Sequence, residues 1–135
     1  MNLPPLNRVL LVEDDPDILQ IVEFALARVK KLSVETCRTG AEALERAERF
    51  APDLILLDAM LPGMDGPSTL LELRKNPRLS AIPAVFMTAK IQPQDIAQYR
   101  ELGALDVIPK PFQPSELAGT LFDLWSAHHE QHVAE

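Results

Sequence analysis

The chain has 135 residues, which is the length of one domain with a hydrophobic core of its own. Hydrophobic residues make up 47% of the chain and charged residues 24%, so wholesale disorder is excluded. The net charge of -7 argues against non-specific binding to nucleic acid, because such binding depends on cationic contacts to phosphate. An acidic chain is better suited to small cations or to basic partner surfaces.

The usual indications of export or membrane insertion are missing from the sequence. Cys37 is the single cysteine, so no intramolecular disulfide can form and nothing points to an oxidising compartment. No apolar run approaches the roughly 18 residues of a membrane span, and the N-terminus lacks a basic segment followed by an apolar one. We therefore expect a cytoplasmic protein with no membrane partner.

Short apolar runs alternate with longer amphipathic segments along the chain. Residues 9–12 predict a strand buried on both faces, and a weaker strand is predicted near 32–36. The helix between them begins near Pro16 and repeats apolar residues at helical spacing, at Ile18, Val22, Ala25, Leu26 and Val29. Thr39, followed by Glu42, predicts the start of a second helix. The inner face of that helix is predicted to consist of Ala43, Leu44, Ala47 and Phe50.

The middle of the chain holds the clearest strand. Residues 54–57 are all apolar, and the run stops at Asp58. A loop rich in turn-forming residues is predicted over 59–67, followed by a short helix over about 68–75.

The last third continues the alternation. A strand is predicted over 84–87, ending at Thr88, and a helix over 93–102, closed by Gly103. A short strand over 106–108 follows.

The final predicted helix begins near Pro114 and places its apolar residues on one stripe, namely Leu117, Leu121, Leu124 and Trp125. The polar tail from about His129 is expected to fray. We predict a domain over residues 7–127 and a polar tail over 128–135.

Five strands alternating with five helices predict the α/β class, with a doubly wound five-stranded parallel sheet. In such sheets the ligand crevice lies outside the carboxyl ends of the strands. The residues that end the strands are therefore the candidates for chemistry. The second strand ends at Thr36 and Cys37 without a charge, and we expect that end to be remote from the crevice.

Charged and polar residues end the other four strands. Glu13, Asp14 and Asp58 would bring three carboxylates together, which requires a compensating hard cation such as Mg²⁺. Lys110 adds a fixed positive charge and Thr88 adds a hydroxyl. A metal, an ammonium and a hydroxyl around an ionised carboxylate indicate a phosphoryl-transfer centre, with Asp58 as the nucleophile.

Together, these strand ends resemble the receiver domain of two-component response regulators. The resemblance extends from about Arg8 to Leu124 and rests on four segments in order, namely Leu11–Asp15, Leu56–Gly66, Met87–Lys90 and Lys110–Phe112. It implies a flavodoxin-like sheet with the strand order 2-1-3-4-5.

The resemblance assigns a role to each site residue. Asp58 resembles the phosphoacceptor, and Glu13, Asp14, Asp58 and the backbone carbonyl of Met60 resemble the Mg²⁺ ligands. Lys110 resembles the residue that contacts the phosphoryl group, with a cis bond before the next proline.

The switch residues follow from the same resemblance. Thr88 resembles the switch hydroxyl, and Ala89 resembles the small residue beside it. Val107 stands where the family usually carries an aromatic residue, so we expect the output to depend more on the loop between the fourth strand and the fourth helix. Met60 and Lys90 would flank the hydrolytic water, and neither orients water well, which predicts a long-lived phosphoryl group.

These implications describe a single-domain response regulator that is not an enzyme in its own right. Its expected partners are a histidine kinase or histidine phosphotransfer protein and a downstream protein target, with no direct contact to nucleic acid. The resemblance also allows a homodimer through the fourth and fifth helices.

Three alternatives remain open from the sequence. The chain is compatible with a receiver fragment of a larger regulator or hybrid kinase. A haloacid dehalogenase-type phosphohydrolase would also use an aspartate and Mg²⁺, although the Asp-x-Asp pattern at Asp15 lies past the strand and contains Pro16. A flavin-binding protein of the flavodoxin type is disfavoured because acidic residues after the first strand repel phosphate.

Overall fold

The computed structural model describes residues 5–28, 32–89 and 92–133, which form a parallel sheet covered by α-helices on both faces. The strands are β1 (Arg8–Val12), β2 (Ser33–Cys37), β3 (Leu54–Asp58), β4 (Ala84–Thr88) and β5 (Ala104–Pro109). The helices are α1 (Pro16–Arg28), α2 (Gly40–Phe50), α3 (Gly66–Arg74), α4 (Pro93–Glu101) and α5 (Pro114–Val133). The strand order β2-β1-β3-β4-β5 confirms the predicted fold class.

Two hydrophobic cores lie on opposite faces of the sheet. Helices α2, α3 and α4 cover the core that contains Leu10, Ile55, Leu57 and Phe86. Helices α1 and α5 cover the core that contains Val9, Leu11, Leu54, Leu56 and Val85. Successive residues of a strand point to opposite faces, so a strand buried on both sides must be apolar throughout. This requirement explains the unbroken apolar runs in the sequence.

The strand register determines where the functional site lies. Strand β1 lies between β2 and β3, so the winding direction of the chain reverses between β1 and β3. Val12 pairs with Leu57, and the residues that follow them are Glu13 and Asp58. On the other side of β3, Asp58 pairs with Met87. Residues that lie side by side along this edge of the sheet are therefore far apart in the sequence.

Side-chain caps account for the starts of α2 and α3. The Thr39 hydroxyl accepts a hydrogen bond from the Glu42 amide at 3.1 Å, which confirms the predicted cap. The Glu42 carboxylate in turn accepts from the Arg38 amide. Helix α3 begins at Gly66, earlier than predicted, because the Asp65 carboxylate caps it by accepting a hydrogen bond from the Ser68 amide at 2.8 Å.

Three other details differ from the sequence prediction. Leu44 does not belong to the inner face of α2. It is 37% exposed, whereas Ala43 and Ala47 of the same helix are fully buried. Strand β5 extends past both predicted ends. Helix α5 continues to Val133 instead of fraying, and the His129 ring packs on the Trp125 ring at 3.9 Å. Val29 and Lys90 lie outside the described residues.

Gly66 brings the start of α3 against the end of β3. Its amide donates to the Ala59 carbonyl at 3.0 Å. A Cβ atom at position 66 would lie 2.3 Å from the Asp58 carbonyl oxygen and 2.7 Å from the Ala59 Cα atom. Both obstacles are backbone atoms, so they cannot move aside like a flexible side chain. Only glycine allows this approach.

We predict that Gly66→Ala lowers the free energy of unfolding by about 1–3 kcal/mol, because the added methyl group forces backbone shifts. Gly119→Ala is the matched control, since a Cβ atom at position 119 of α5 meets nothing within 4 Å. That substitution should raise the stability by roughly 0.5–1 kcal/mol, as alanine favours helix. Urea unfolding measures both changes, and equal effects of the two substitutions would contradict the prediction.

Candidate functional site

Three carboxylates meet at the carboxyl ends of β1 and β3. One oxygen each of Glu13, Asp14 and Asp58 lies within 4.8 Å of the other two. Glu13 is fully buried and Asp58 is 5% exposed, whereas Asp14 is half-buried. Like charges this close in a buried setting are unfavourable unless a cation compensates them. The cluster predicted from the strand ends is therefore present.

Lys110 supplies one compensating charge. Its Nζ atom lies 2.6 Å from Glu13 Oε1 and 2.9 Å from Asp58 Oδ2. The Lys110 amide donates to the Thr88 carbonyl at 3.0 Å, which holds the lysine at the end of β5 beside β4. The peptide bond between Lys110 and Pro111 is cis, as the family resemblance implied.

Backbone amides hold the second oxygen of each buried carboxylate. The Asp15 amide donates to Glu13 Oε2 at 3.1 Å, and the Met60 amide donates to Asp58 Oδ1 at 3.0 Å. Each carboxylate is thus fixed between an ammonium and an amide. Its orientation is set before any ligand binds, which removes an ordering cost from binding.

Burial and ion pairing together shift the pKa values of Glu13 and Lys110. Burial raises the pKa of Glu13, and the hydrogen bond from Lys110 offsets only part of that effect. Burial alone would lower the pKa of Lys110, but the hydrogen bonds to Glu13 and Asp58 outweigh it and the pKa is raised. Lys110 is therefore a firmly protonated cation near neutral pH.

The donor set of the cluster fits a hard divalent cation. All three acidic side chains offer oxygen, and Mg²⁺ prefers oxygen ligands at a site that retains several waters. One ammonium leaves two of the three carboxylate charges uncompensated, which a divalent ion would balance. The contact of Met60 with the cluster is made by its amide, and the role predicted for its carbonyl stays a prediction.

The remaining predicted residues lie on β4 and β5 or directly after β4. Thr88 is fully buried at the end of β4, and Ala89 after it is exposed. Val107 is half-buried on β5 and pairs with Phe86. A mainly apolar cavity of about 340 Å³ runs beside Lys110, lined also by Ala89 and residues of α1 and the β5–α5 loop.

One contact reaches the edge of the site from the residue that follows β2. Arg38 directly follows β2, and its Nη2 atom donates to the Asp14 carbonyl at 3.2 Å. A long side chain carries the charge across from the edge strand. The prediction considered only residues within the strand, and including the next residue would have found Arg38.

Comparison with known protein families identifies the family to which this chain belongs. The family model for the response regulator receiver domain matches residues 9–122. The chain belongs to this family. Receiver domains are signalling domains, and a histidine kinase and a downstream target are the partners that the family implies. The match favours this assignment over the phosphohydrolase and flavin-binding alternatives.

Curated relatives of this receiver domain are longer proteins. The DNA-binding response regulator MtrA of Mycolicibacterium smegmatis is 38% identical over 111 residues, which cover 82% of this chain and 47% of MtrA. The transcriptional activator protein PfeR of Pseudomonas aeruginosa is 42% identical over 113 residues, which cover 84% of this chain and 36% of PfeR. The matched segment thus covers less than half the length of these relatives.

Solved receiver structures share the fold over nearly their whole length. The chemotaxis response regulator CheY4 of Vibrio cholerae has a TM-score of 0.82 at 29% identity, covering 89% of this chain and 99% of that chain. The HemR receiver domain from Leptospira biflexa has a TM-score of 0.80 at 33% identity, covering 89% of this chain and 94% of that one.

Among the described residues, no helix has the length and apolar character needed to span a membrane.

The raised pKa of Glu13 yields a pH-dependent prediction. A carboxyl group whose pKa is higher in the folded state destabilises the fold progressively as the pH rises above the ordinary value of 4.5. Glu13→Gln should therefore raise the thermal unfolding midpoint at pH 7 without divalent cations. The difference from wild type should shrink as the pH falls toward 4.5, when Glu13 takes up a proton. A variant less stable than wild type at pH 7 would contradict this.

Metal binding to the cluster should stabilise the folded protein. A ligand at a hundred times its Kd adds about 2.7 kcal/mol to the free energy of unfolding. We predict such a response to Mg²⁺ in wild type and its near-complete loss in Asp14→Asn. Asp17→Asn is the matched control, since Asp17 is exposed on α1 and outside the cluster. Unfolding in urea with and without Mg²⁺ measures the response, and a full response in Asp14→Asn would rule out the site.

Proposed function

We propose that this receiver domain accepts a phosphoryl group on Asp58 from a phosphohistidine of a histidine kinase or histidine phosphotransfer protein. The observation that carries the proposal is the Asp58 carboxylate, which lies 2.9 Å from the Lys110 ammonium and within 4.8 Å of two further carboxylates. The downstream target is a protein that recognises the surface of the phosphorylated form.

The transfer needs no general base, because the Asp58 carboxylate is a nucleophile once ionised. A carboxylate oxygen attacks phosphorus, the phosphorus–nitrogen bond breaks, and the electron pair returns to the imidazole of the partner. Glu13, Asp14, Asp58 and the Met60 carbonyl would hold Mg²⁺, which offsets charge on the phosphoryl oxygens. The Lys110 ammonium, 2.9 Å from Asp58 Oδ2, contacts the same phosphoryl oxygens as charge develops.

Phosphorylation then biases the switch residues. A phosphoryl group brings a charge of about -1.5 to -2 where the carboxylate carried -1. Its oxygens draw the Thr88 hydroxyl toward Asp58, and exposed Ala89 leaves room for that movement. Val107 is too small to act as an aromatic switch, so the change passes through the β4–α4 loop and α4.

A second candidate concerns the protein that carries this domain. The relatives MtrA and PfeR are named as DNA-binding or transcriptional regulators and extend well beyond the matched segment. The domain would then be the receiver part of such a regulator, whose other part contacts DNA. In the first candidate the domain acts alone, by protein contact, and a homodimer through α4 and α5 is a further proposal.

Acetyl phosphate with Mg²⁺ tests the phosphoacceptor. We predict that intact mass spectrometry shows the gain of one HPO₃ unit in wild type and no gain in Asp58→Asn. Asp53→Asn is a control with the same change of charge, because Asp53 caps the start of β1 on the opposite edge of the sheet. A gain that persists in Asp58→Asn would show that another residue is modified.

The lifetime of the phosphoryl group is a separate prediction. The Met60 side chain is 59% exposed and offers no acid or amide to orient an attacking water. After removal of acetyl phosphate, we expect the phosphorylated form to decay over minutes or longer, as followed by intact mass. Decay within seconds would contradict this expectation.

A further inference from the structure

Helix α4 buries one aromatic side chain against the sheet, and its Arg100 guanidinium also lies 3.5 Å from the Asp106 carboxylate of β5. Tyr99 and Asp95 are the buried residues of this helix, and Tyr99 is 4% exposed. The rest of α4 is largely polar, and Ile96 is only half-buried. Because apolar burial is the main force that holds a surface helix to its sheet, the position of α4 depends on where the Tyr99 ring packs.

The Tyr99 ring packs on the strand that leads to Thr88. Its centroid lies 4.8 Å from that of Phe86, with the ring planes inclined by 37°. Phe86 is fully buried on β4, between Leu57 on β3 and Val107 on β5. Tilted aromatic pairs at this distance attract each other beyond the burial of their area. Helix α4 is thus held directly to β4, next to the small side chain of β5.

Tyr99 also borders the loop that follows Asp58. It lines a cavity of about 430 Å³ together with Ala59, Met60, Leu61, Pro62 and Asp65. The first residues of this loop are tied to the site, because the Met60 amide donates to Asp58 Oδ1 and the Ala59 amide donates to the Met87 carbonyl. The same ring therefore faces β4 and the loop whose amide holds the Asp58 carboxylate.

We propose that Tyr99 is a positioning residue that couples α4 to the Asp58 loop, so that a change at Asp58 reaches the exposed face of α4 through the Tyr99 ring. This inference rests on the proposed function. A new group on Asp58 alters the bond from the Met60 amide, the loop changes the cavity beside Tyr99, and the ring carries α4 with it. The route runs from β3 to α4 and does not depend on the Val107 side chain of β5.

Amide chemical shifts measured by NMR test the coupling, with Mg²⁺ and beryllofluoride as the analogue of the phosphoryl group. In wild type we expect shift changes around Asp58 and over residues 92–101. In Tyr99→Leu the changes around Asp58 should persist, while those over 92–101 should fall by about twofold or more. Tyr99→Phe keeps the ring and should retain the wild-type pattern.

Phe122→Leu is the matched control for a general loss of stability. Phe122 is a half-buried aromatic residue of α5 that packs against the opposite core. This variant should keep the full response over 92–101. An unchanged α4 response in Tyr99→Leu, or an equal loss in Phe122→Leu, would overturn the coupling and leave the proposed function intact. A wild-type protein without shift changes around Asp58 would overturn both.

Discussion

The paired contacts of Lys110 with Glu13 and Asp58 are the interaction on which the site depends. Two buried carboxylates side by side would repel each other and lose their hydration. A single ammonium at 2.6 and 2.9 Å from their oxygens offsets part of both costs and helps to fix both orientations. It does not neutralise the cluster, because Asp14 brings a third carboxylate. The remaining negative charge is what gives the site its capacity for a divalent cation.

The parallel sheet makes this contact available. Glu13 and Lys110 are 97 positions apart in sequence, and they meet because β1, β3, β4 and β5 all end at the same edge. The reversal of winding between β1 and β3 sends α1 and α3 to opposite faces of the sheet, which leaves a crevice at that edge. Gly66 then lets α3 begin against the Asp58 backbone. The chemistry is thus carried by few residues, but their placement requires the whole fold.

Sequence reasoning could find the residues that the strands deliver, because Glu13, Asp58 and Lys110 are each placed by a strand end. It could not find residues placed by side-chain packing. Leu44 fits helical periodicity, but α2 lies close to the sheet on alanines and leaves it exposed. Arg38 is a different case, because it directly follows β2 and a search that included the residue after each strand would have found it. The role of Tyr99 depends on which face of a mostly polar helix meets β4, and periodicity does not decide that.

The most direct test of the account is the ionisation of Lys110 itself. Heteronuclear NMR of its side-chain nitrogen in metal-free protein would follow the titration of this ammonium between its two carboxylates. The account predicts a pKa above the ordinary value of 10.5 in wild type, and a lower one when Glu13 is replaced by glutamine. A wild-type pKa at or below the ordinary value, unaffected by that replacement, would show that Lys110 does not hold the cluster together.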